Sequence, residues 1–73
     1  MILNIHTLSG NFIKININDY DNVLKIKRII EREFHHPIFV QKLLYKNKEI
    51  CNYKQIKYYN ISDNDHLHMV FNI

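Results

Sequence analysis

Alternating apolar and polar residues predict two β-strands at the start of the chain. Leu3, Ile5 and Thr7 recur at every second position, which is the period of a strand with one buried face. After the short connection Leu8-Ser9-Gly10, the same alternation resumes with isoleucine at positions 13, 15 and 17. Because glycine adopts a positive φ at little energetic cost, we expect the two strands to form a hairpin with a three-residue loop.

The pattern then changes to helical spacing. Apolar residues recur every three or four positions, which predicts a helix from Val23 to Phe34. We expect Asn22 or Asp21 to cap its first turn through a side-chain oxygen, and Pro37 to end it by restricting the preceding residue to extended backbone. Its apolar residues are Val23, Ile26, Ile29, Ile30 and Phe34. Its charged residues, expected to face solvent, are Lys25, Lys27, Arg28, Glu31 and Arg32.

The rest of the chain predicts three more strands. We expect one from Val40 to Tyr45, a two-residue turn at Lys46-Asn47, and a short strand from Lys48 to Ile50. An irregular stretch follows, and the last strand runs from about His66 to Phe71. The irregular stretch is expected to be anchored by Ile50, Ile56, Tyr59 and Ile61. The order of elements is therefore ββαββ, an irregular turn and β, within one domain of residues 1–73.

This order, with particular residues at fixed spacing, resembles the ubiquitin family over the whole chain, with no insertion or deletion. The residues that carry the resemblance are Thr7-Leu8-Ser9-Gly10, Lys27, Ile30, Pro37, Gln41, Leu43, Lys48, Tyr59-Asn60-Ile61 and Leu67-His68-Met69-Val70. The resemblance implies an α+β fold of the ubiquitin-like β-grasp type. In that fold a mixed four- to five-stranded sheet packs on one helix, and the first and last strands are parallel and central.

Strand parity and the resemblance indicate the same binding surface. Leu44 and Val70 have the wrong parity for the core faces of their strands, so both should face solvent, and Leu8 lies at a hairpin tip. In the ubiquitin family most receptors bind an apolar patch at the positions matched by these three residues, beside His68. Three outward apolar residues on one face favour a binding role over scattered exposure. A basic rim that favours acidic partners is expected from Lys42, Lys46 and Lys48.

Two functions are compatible with the resemblance. The first is a monomeric, non-covalent docking domain of a larger protein in the ubiquitin–proteasome system, whose partners are proteins carrying ubiquitin-binding or ubiquitin-like-binding motifs. Met1 and the absence of Gly-Gly favour this function. The second is a protein modifier whose C-terminal Gly-Gly tail is absent from a chain that ends at Phe71-Asn72-Ile73. The reading frame after Ile73 distinguishes the two.

Composition excludes several other functions. With 73 residues and 47% apolar content, the chain can bury one small core. Cys51 is the only cysteine, so no intramolecular disulfide is possible, and we expect a reducing cytoplasm and/or nucleus. No apolar run approaches the about 20 residues of a membrane span, so no membrane role is expected. The net charge of +3 is spread along the chain without a basic stripe interleaved with aromatic residues, so nucleic-acid binding is not expected.

No catalytic residue, metal site or cofactor is predicted, and the protein is not expected to be an enzyme. Cys51 with a distant histidine could form a thiol nucleophile, but a lone loop cysteine is more often inert and the implied fold offers no cleft. Glu31 and Glu33 are neighbours on a helix and do not face one another. Gly10 is the only glycine, so the chain has no phosphate-binding glycine loop.

Three minor predictions concern particular side chains. The resemblance places the helix terminator at His35, which should therefore have a positive φ. Outward histidines on neighbouring strands could bind Zn²⁺ weakly or make partner binding pH-dependent. These are His6, His66 and His68. The runner-up binding surface is the outer side of the first hairpin, which carries Ile2, Asn4 and Phe12.

Overall fold

A computed structural model describes residues 1–72, and Ile73, the last residue of the predicted domain, lies outside the described residues. The elements are β1 Ile2–Thr7, β2 Phe12–Asn16, α1 Val23–Phe34, β3 Gln41–Tyr45, β4 Lys48–Glu49 and β5 His66–Phe71. Short 3₁₀ turns occupy Ile38–Val40 and Ile56–Tyr59. The predicted order is confirmed. β3 begins one residue later than predicted because Val40 belongs to the first 3₁₀ turn, and β4 ends one residue earlier, before Ile50.

The strands form one mixed sheet in the order β2-β1-β5-β3-β4. β1 and β5 are parallel, whereas the other neighbouring pairs are antiparallel. Apolar residues from the inner face of the sheet pack with α1 and with the irregular segment into one core. The fully buried members include Leu3, Ile5, Ile26, Ile30, Leu43, Ile56 and Leu67. The predicted α+β, ubiquitin-like β-grasp fold is confirmed.

Two tight turns adopt the backbone that their residues favour. In the first hairpin Gly10 has a φ of 86°, and the backbone N–H of Thr7 donates to the carbonyl oxygen of Asn11 at 2.9 Å. This closes the predicted three-residue loop and leaves Leu8 at its tip. Between β3 and β4, Lys46 and Asn47 have φ values of 52° and 66°, as a two-residue type I′ turn requires. The turn therefore aligns β4 directly against β3.

Lys27 is buried, so the prediction that it faces solvent is wrong. It lies four residues after Val23 and three before Ile30, which puts it inside the apolar stripe of α1 despite its charge. Only 5% of the residue is exposed, and burial lowers the pKa of its ammonium group. Its backbone carbonyl accepts a hydrogen bond of 2.9 Å from Nε2 of Gln41, which ties α1 to the first residue of β3.

The predicted side-chain cap of α1 is also wrong. Asn22 is the N-cap residue, but its side chain makes no capping hydrogen bond. The first two helical N–H groups donate instead to the backbone carbonyls of Lys54 and Asn52, each at 3.0 Å. The carboxylate of Asp21 accepts hydrogen bonds from the backbone N–H of residue 18 and from Nζ of residue 25, both at 3.1 Å. The start of the helix is therefore capped by a segment more than 25 residues away.

His35 ends α1 in the left-handed conformation, as predicted. Its φ and ψ are 61° and 30°, and its backbone N–H donates to the carbonyl oxygen of Glu31 at 2.8 Å. This closes the last turn of the helix. A side chain at a positive φ is strained by the contact between Cβ and the backbone, whereas glycine is not.

We therefore expect His35→Gly to raise the free energy of unfolding by about 1 kcal/mol. The measurement is urea unfolding followed by circular dichroism at neutral pH. His35→Ala is the matched control, because it removes the imidazole but keeps the Cβ. If both variants gain the same stability, the imidazole and not the backbone strain lowers the stability of the native domain.

Candidate protein-binding surface

A row of register partners crosses the outer face of the sheet from edge to edge. Phe12 on β2 is opposite His6 on β1, and His6 is opposite His68 on β5. His68 is opposite Leu44 on β3, and Leu44 is opposite Glu49 on β4. Because register partners on one face have Cβ atoms about 5 Å apart, these five side chains form a continuous band, called the outer row below.

Val70 and Leu8 extend the surface around Leu44, which is itself a member of the outer row. Val70 lies two residues after the outer-row residue of β5 and therefore on the same face. Leu8 follows Thr7, whose register partner Met69 directly precedes Val70, so the hairpin tip reaches the same end of this face. The register thus joins the three residues of the predicted patch, called the apolar patch below.

The three members of the apolar patch differ in exposure. Leu8 is 69% exposed. Leu44 and Val70 were expected to face solvent, but both are half-buried. Their inward neighbours Leu43 and Met69 are fully buried, which confirms the predicted parity of both strands. Neighbouring side chains in the central part of the sheet cover part of each outward residue.

One lysine of the predicted basic rim is paired with a carboxylate. Lys42 is opposite Val70, and its Nζ lies 4.0 Å from Oε1 of Glu49. An exposed ion pair of this kind contributes at most about 1 kcal/mol, yet it places a negative charge at the edge of the patch. Lys48 is opposite Tyr45 and exposed, and Nζ of Lys46 lies 5.2 Å from the centre of the Tyr45 ring. Because Tyr45 has the parity of the inner face, Lys48 lies at the edge of the sheet on the Tyr45 side, whereas Lys42 shares the face of the apolar patch.

The outward histidines form one cluster. Nε2 of His6 lies 2.8 Å from Nδ1 of His66, so one ring donates a hydrogen bond to the other. The His6 ring also stacks on His68, with centroids 5.0 Å apart and an angle of 17°, and lies 4.9 Å from the Phe12 ring. Burial, followed by the charges of His68 and His66, holds the pKa of His6 below its ordinary value. Within residues 1–72 no group of three or more potential ligands is arranged to hold a metal ion, so the zinc hypothesis gains no support.

The lowered pKa of His6 predicts that acid destabilises the domain. The unfolded chain takes up a proton near pH 6.5, while folded His6 takes it up only at lower pH. The unfolded state therefore binds more protons as the pH falls from about 7 towards 5, and the free energy of unfolding should decrease over this range. His6→Gln should make this decrease smaller. Urea unfolding of both proteins at several pH values measures the difference, and equal slopes would contradict the role of His6.

The runner-up surface does not stand apart from the apolar patch. Asn4 faces outward but is buried, because its Nδ2 donates to the carbonyl oxygen of Asn64 at 2.9 Å and the loop before β5 covers it. Phe12 is 47% exposed and begins the outer row. Phe12 therefore extends the candidate surface across β1 and β2. The alternation of the strand identified it as outward, but only the sheet register shows which residues lie beside it.

Cys51 and Glu31, two of the residues considered for chemistry, line one open groove, but no hydrogen bond joins them within residues 1–72. Cys51 is exposed just after β4, and its backbone N–H donates to the hydroxyl of Tyr59 at 2.7 Å. Glu31 and Glu33 lie exposed on α1. In the part of the chain that the structure describes, no helix is long and apolar enough to cross a membrane.

A β-grasp sheet that packs on one helix and carries an apolar patch outside defines a ubiquitin-like domain. The sequence model of the ubiquitin family matches residues 3–73, and the chain belongs to that family. Ubiquitin-like protein 1 of Schizosaccharomyces pombe is 30% identical over 70 residues, which cover 96% of this chain and 90% of that protein. The ubiquitin-like protein NEDD8 of Dictyostelium discoideum is also 30% identical over 70 residues, 96% of this chain and 91% of its own length.

A longer relative is also similar. Ubiquitin-like protein 4A of Xenopus laevis is 27% identical over 70 residues, and the match covers 96% of this chain. It covers only 47% of the frog protein, so the chain spans about half the length of that relative. Similar domains therefore occur both nearly alone and within longer proteins.

Proposed function

We propose that the chain is a non-covalent protein-interaction module with no catalysis of its own. Its apolar patch docks onto proteins that carry ubiquitin-binding or ubiquitin-like-binding motifs, such as receptors of the proteasome, in the cytoplasm or nucleus. The observation that carries this proposal is the register of β1, β5 and β3, which gathers Leu8, Leu44 and Val70 on one side of the sheet beside His68. The rim lysines 42 and 48 add electrostatic steering.

A second candidate function is a protein modifier. The chain covers 90% and 91% of two of its relatives, so proteins of about this size exist in the family. Attachment to a lysine of a target protein needs an exposed tail that ends in Gly-Gly. The similarity to a protein twice as long supports the docking module instead. A further domain encoded after Ile73 would support docking, and a short extension ending in Gly-Gly would support the modifier.

Binding to purified ubiquitin-binding domains tests the proposal. Isotope-labelled protein is titrated with isolated ubiquitin-associated domains and ubiquitin-interacting helices, and the amide NMR signals are followed. We expect selective shifts at Leu44, His68 and Val70 and at the hairpin tip. Shifts confined to α1, or no shifts with any member of the panel, would contradict docking through the apolar patch.

A further inference from the structure

A second surface, separate from the outer face of the sheet, joins the loop before α1 to the segment that contains the second 3₁₀ turn. The backbone N–H of Lys57 donates to the carbonyl oxygen of Asp19, and that of Ile56 donates to the carbonyl oxygen of Asp21, both at 2.9 Å. These bonds bring Tyr20 beside two lysines and a tyrosine that follow it by more than 30 residues in the sequence. The Tyr–Lys surface, as it is called below, consists of Tyr20, Lys54, Lys57 and Tyr58.

Each lysine of this surface lies over an exposed tyrosine ring. Nζ of Lys57 is 4.1 Å from the centre of the Tyr20 ring, and Nζ of Lys54 is 4.6 Å from the centre of the Tyr58 ring. The two tyrosines are 64% and 62% exposed. A cation held over an aromatic face loses less conformational freedom when a partner binds. Tyrosine is also enriched among the residues that dominate binding energy at interfaces.

The charges of this surface are not neutralised by the domain itself. Among residues 1–72, Lys54 and Lys57 have no carboxylate oxygen within 4.0 Å, whereas Lys25 is paired with Asp21 at 3.1 Å. The basic character continues along α1, because Arg28 lines an open groove of about 520 Å³ together with Tyr20. Asp19 and Asp21 reduce the local charge, but five cations lie in this region. They are Lys25, Arg28, Arg32, Lys54 and Lys57.

We propose that the Tyr–Lys surface binds an acidic, extended segment of a partner protein. Carboxylates of such a segment pair with Lys54 and Lys57, while the tyrosine hydroxyls donate hydrogen bonds to its carbonyl or carboxylate oxygens. Charge complementarity favours this occupant, and the two lysines are already placed for it. The surface is independent of the apolar patch, so the domain can engage two partner segments at once.

A single-stranded nucleic acid fits this surface less well. Bases stack on open aromatic faces, but the ammonium groups of Lys54 and Lys57 lie over the rings of Tyr58 and Tyr20. An acidic peptide needs no stacking surface, and its carboxylates can approach the two lysines individually.

The test uses a synthetic probe and NMR. Isotope-labelled protein is titrated with a terminally blocked decapeptide of alternating glutamate and glycine, and in parallel with its glutamine counterpart. Selective amide shifts are expected at Tyr20, Lys54, Lys57 and Tyr58 with the glutamate peptide only. Raising the salt from about 50 to 500 mM should weaken binding, because exposed charges are screened. Shifts elsewhere, or equal shifts with both peptides, would overturn the proposal.

Two double variants separate a specific site from net charge. Lys54→Gln with Lys57→Gln should weaken peptide binding about fivefold, since each exposed ion pair contributes a factor of roughly two to five. Lys14→Gln with Lys42→Gln removes the same charge from the outer face and should change binding less than about twofold. If both double variants weaken peptide binding equally, the peptide is attracted by net charge alone and the proposal is overturned. The proposal is also overturned if a uridine decamer binds more tightly than the glutamate peptide at the same amides. Circular dichroism verifies that each variant is folded.

Discussion

Leu44→Ala is expected to weaken partner binding about tenfold while the domain stays folded. Leu44 lies in the outer row, opposite His68, and shares that face of the sheet with Val70. Burying a leucine side chain against a partner contributes roughly 1.5–3 kcal/mol, and 1.4 kcal/mol corresponds to a factor of ten in affinity. Because Leu44 is already half-buried, we take the lower end of that range. The free energy of unfolding should decrease by about 1 kcal/mol, slightly more than for a fully exposed residue.

Titration calorimetry with a purified ubiquitin-binding domain measures this loss of affinity. Lys48→Ala is the matched control at the rim, and it should slow association in a salt-dependent manner without abolishing binding. Equal affinities of the wild type and Leu44→Ala would exclude the apolar patch as the main contact. Phe12→Ala would then be the next variant to test, because Phe12 is the exposed aromatic residue at the other end of the outer row.

Leu43→Ala is expected to destabilise the domain severely. The side chain of Leu43 is completely buried and faces Met69 across β3 and β5, in the middle of the core. Truncating a buried leucine to alanine costs about 2–5 kcal/mol, through lost burial and the cavity that remains. Small domains have only about 5–15 kcal/mol of stability, so a large part of the total would be lost.

Urea unfolding of Leu43→Ala and Leu44→Ala side by side tests the strand register itself. The two residues are adjacent in sequence, yet one points into the core and the other outward. Leu43→Ala should therefore shift the unfolding midpoint far more than Leu44→Ala. If the larger shift occurred in Leu44→Ala, β3 would be paired one residue out of the register described above.

Periodicity was sufficient to predict the elements, whereas the arrangement of the sheet was implied by the family resemblance. The bounds of α1 and β5 agree with the predicted ranges, and strand parity correctly separated Leu43 and Met69 from Leu44 and Val70. Local backbone chemistry also identified both tight turns, and the resemblance identified the left-handed His35. These features depend on residues close together in sequence, whose preferences are visible without the tertiary structure.

The features that were missed depend on contacts between distant segments. Lys27 was assigned to solvent because of its charge, although its spacing placed it in the buried stripe. The helix cap depends on carbonyls of residues 52 and 54, which no local pattern could reveal. Sequence parity placed His6 and His66 outward, but their 2.8 Å contact follows from the parallel pairing of β1 with β5. The binding role of the apolar patch remains a prediction.

The central position of β5 affects how the protein can be made in the cell. β5 is the last strand to be synthesised, yet it lies between β1 and β3 and pairs with both. Until residues 66–71 emerge from the ribosome, β1 has no parallel partner. The side chains of Leu3 and Ile5 also lack the core residues that β5 contributes. Folding of this domain must therefore await residues 66–71 and bring together strands more than 55 residues apart, and such non-local pairing lowers the rate of folding. A stop codon before residue 66 would leave a chain with an exposed, aggregation-prone β1 edge.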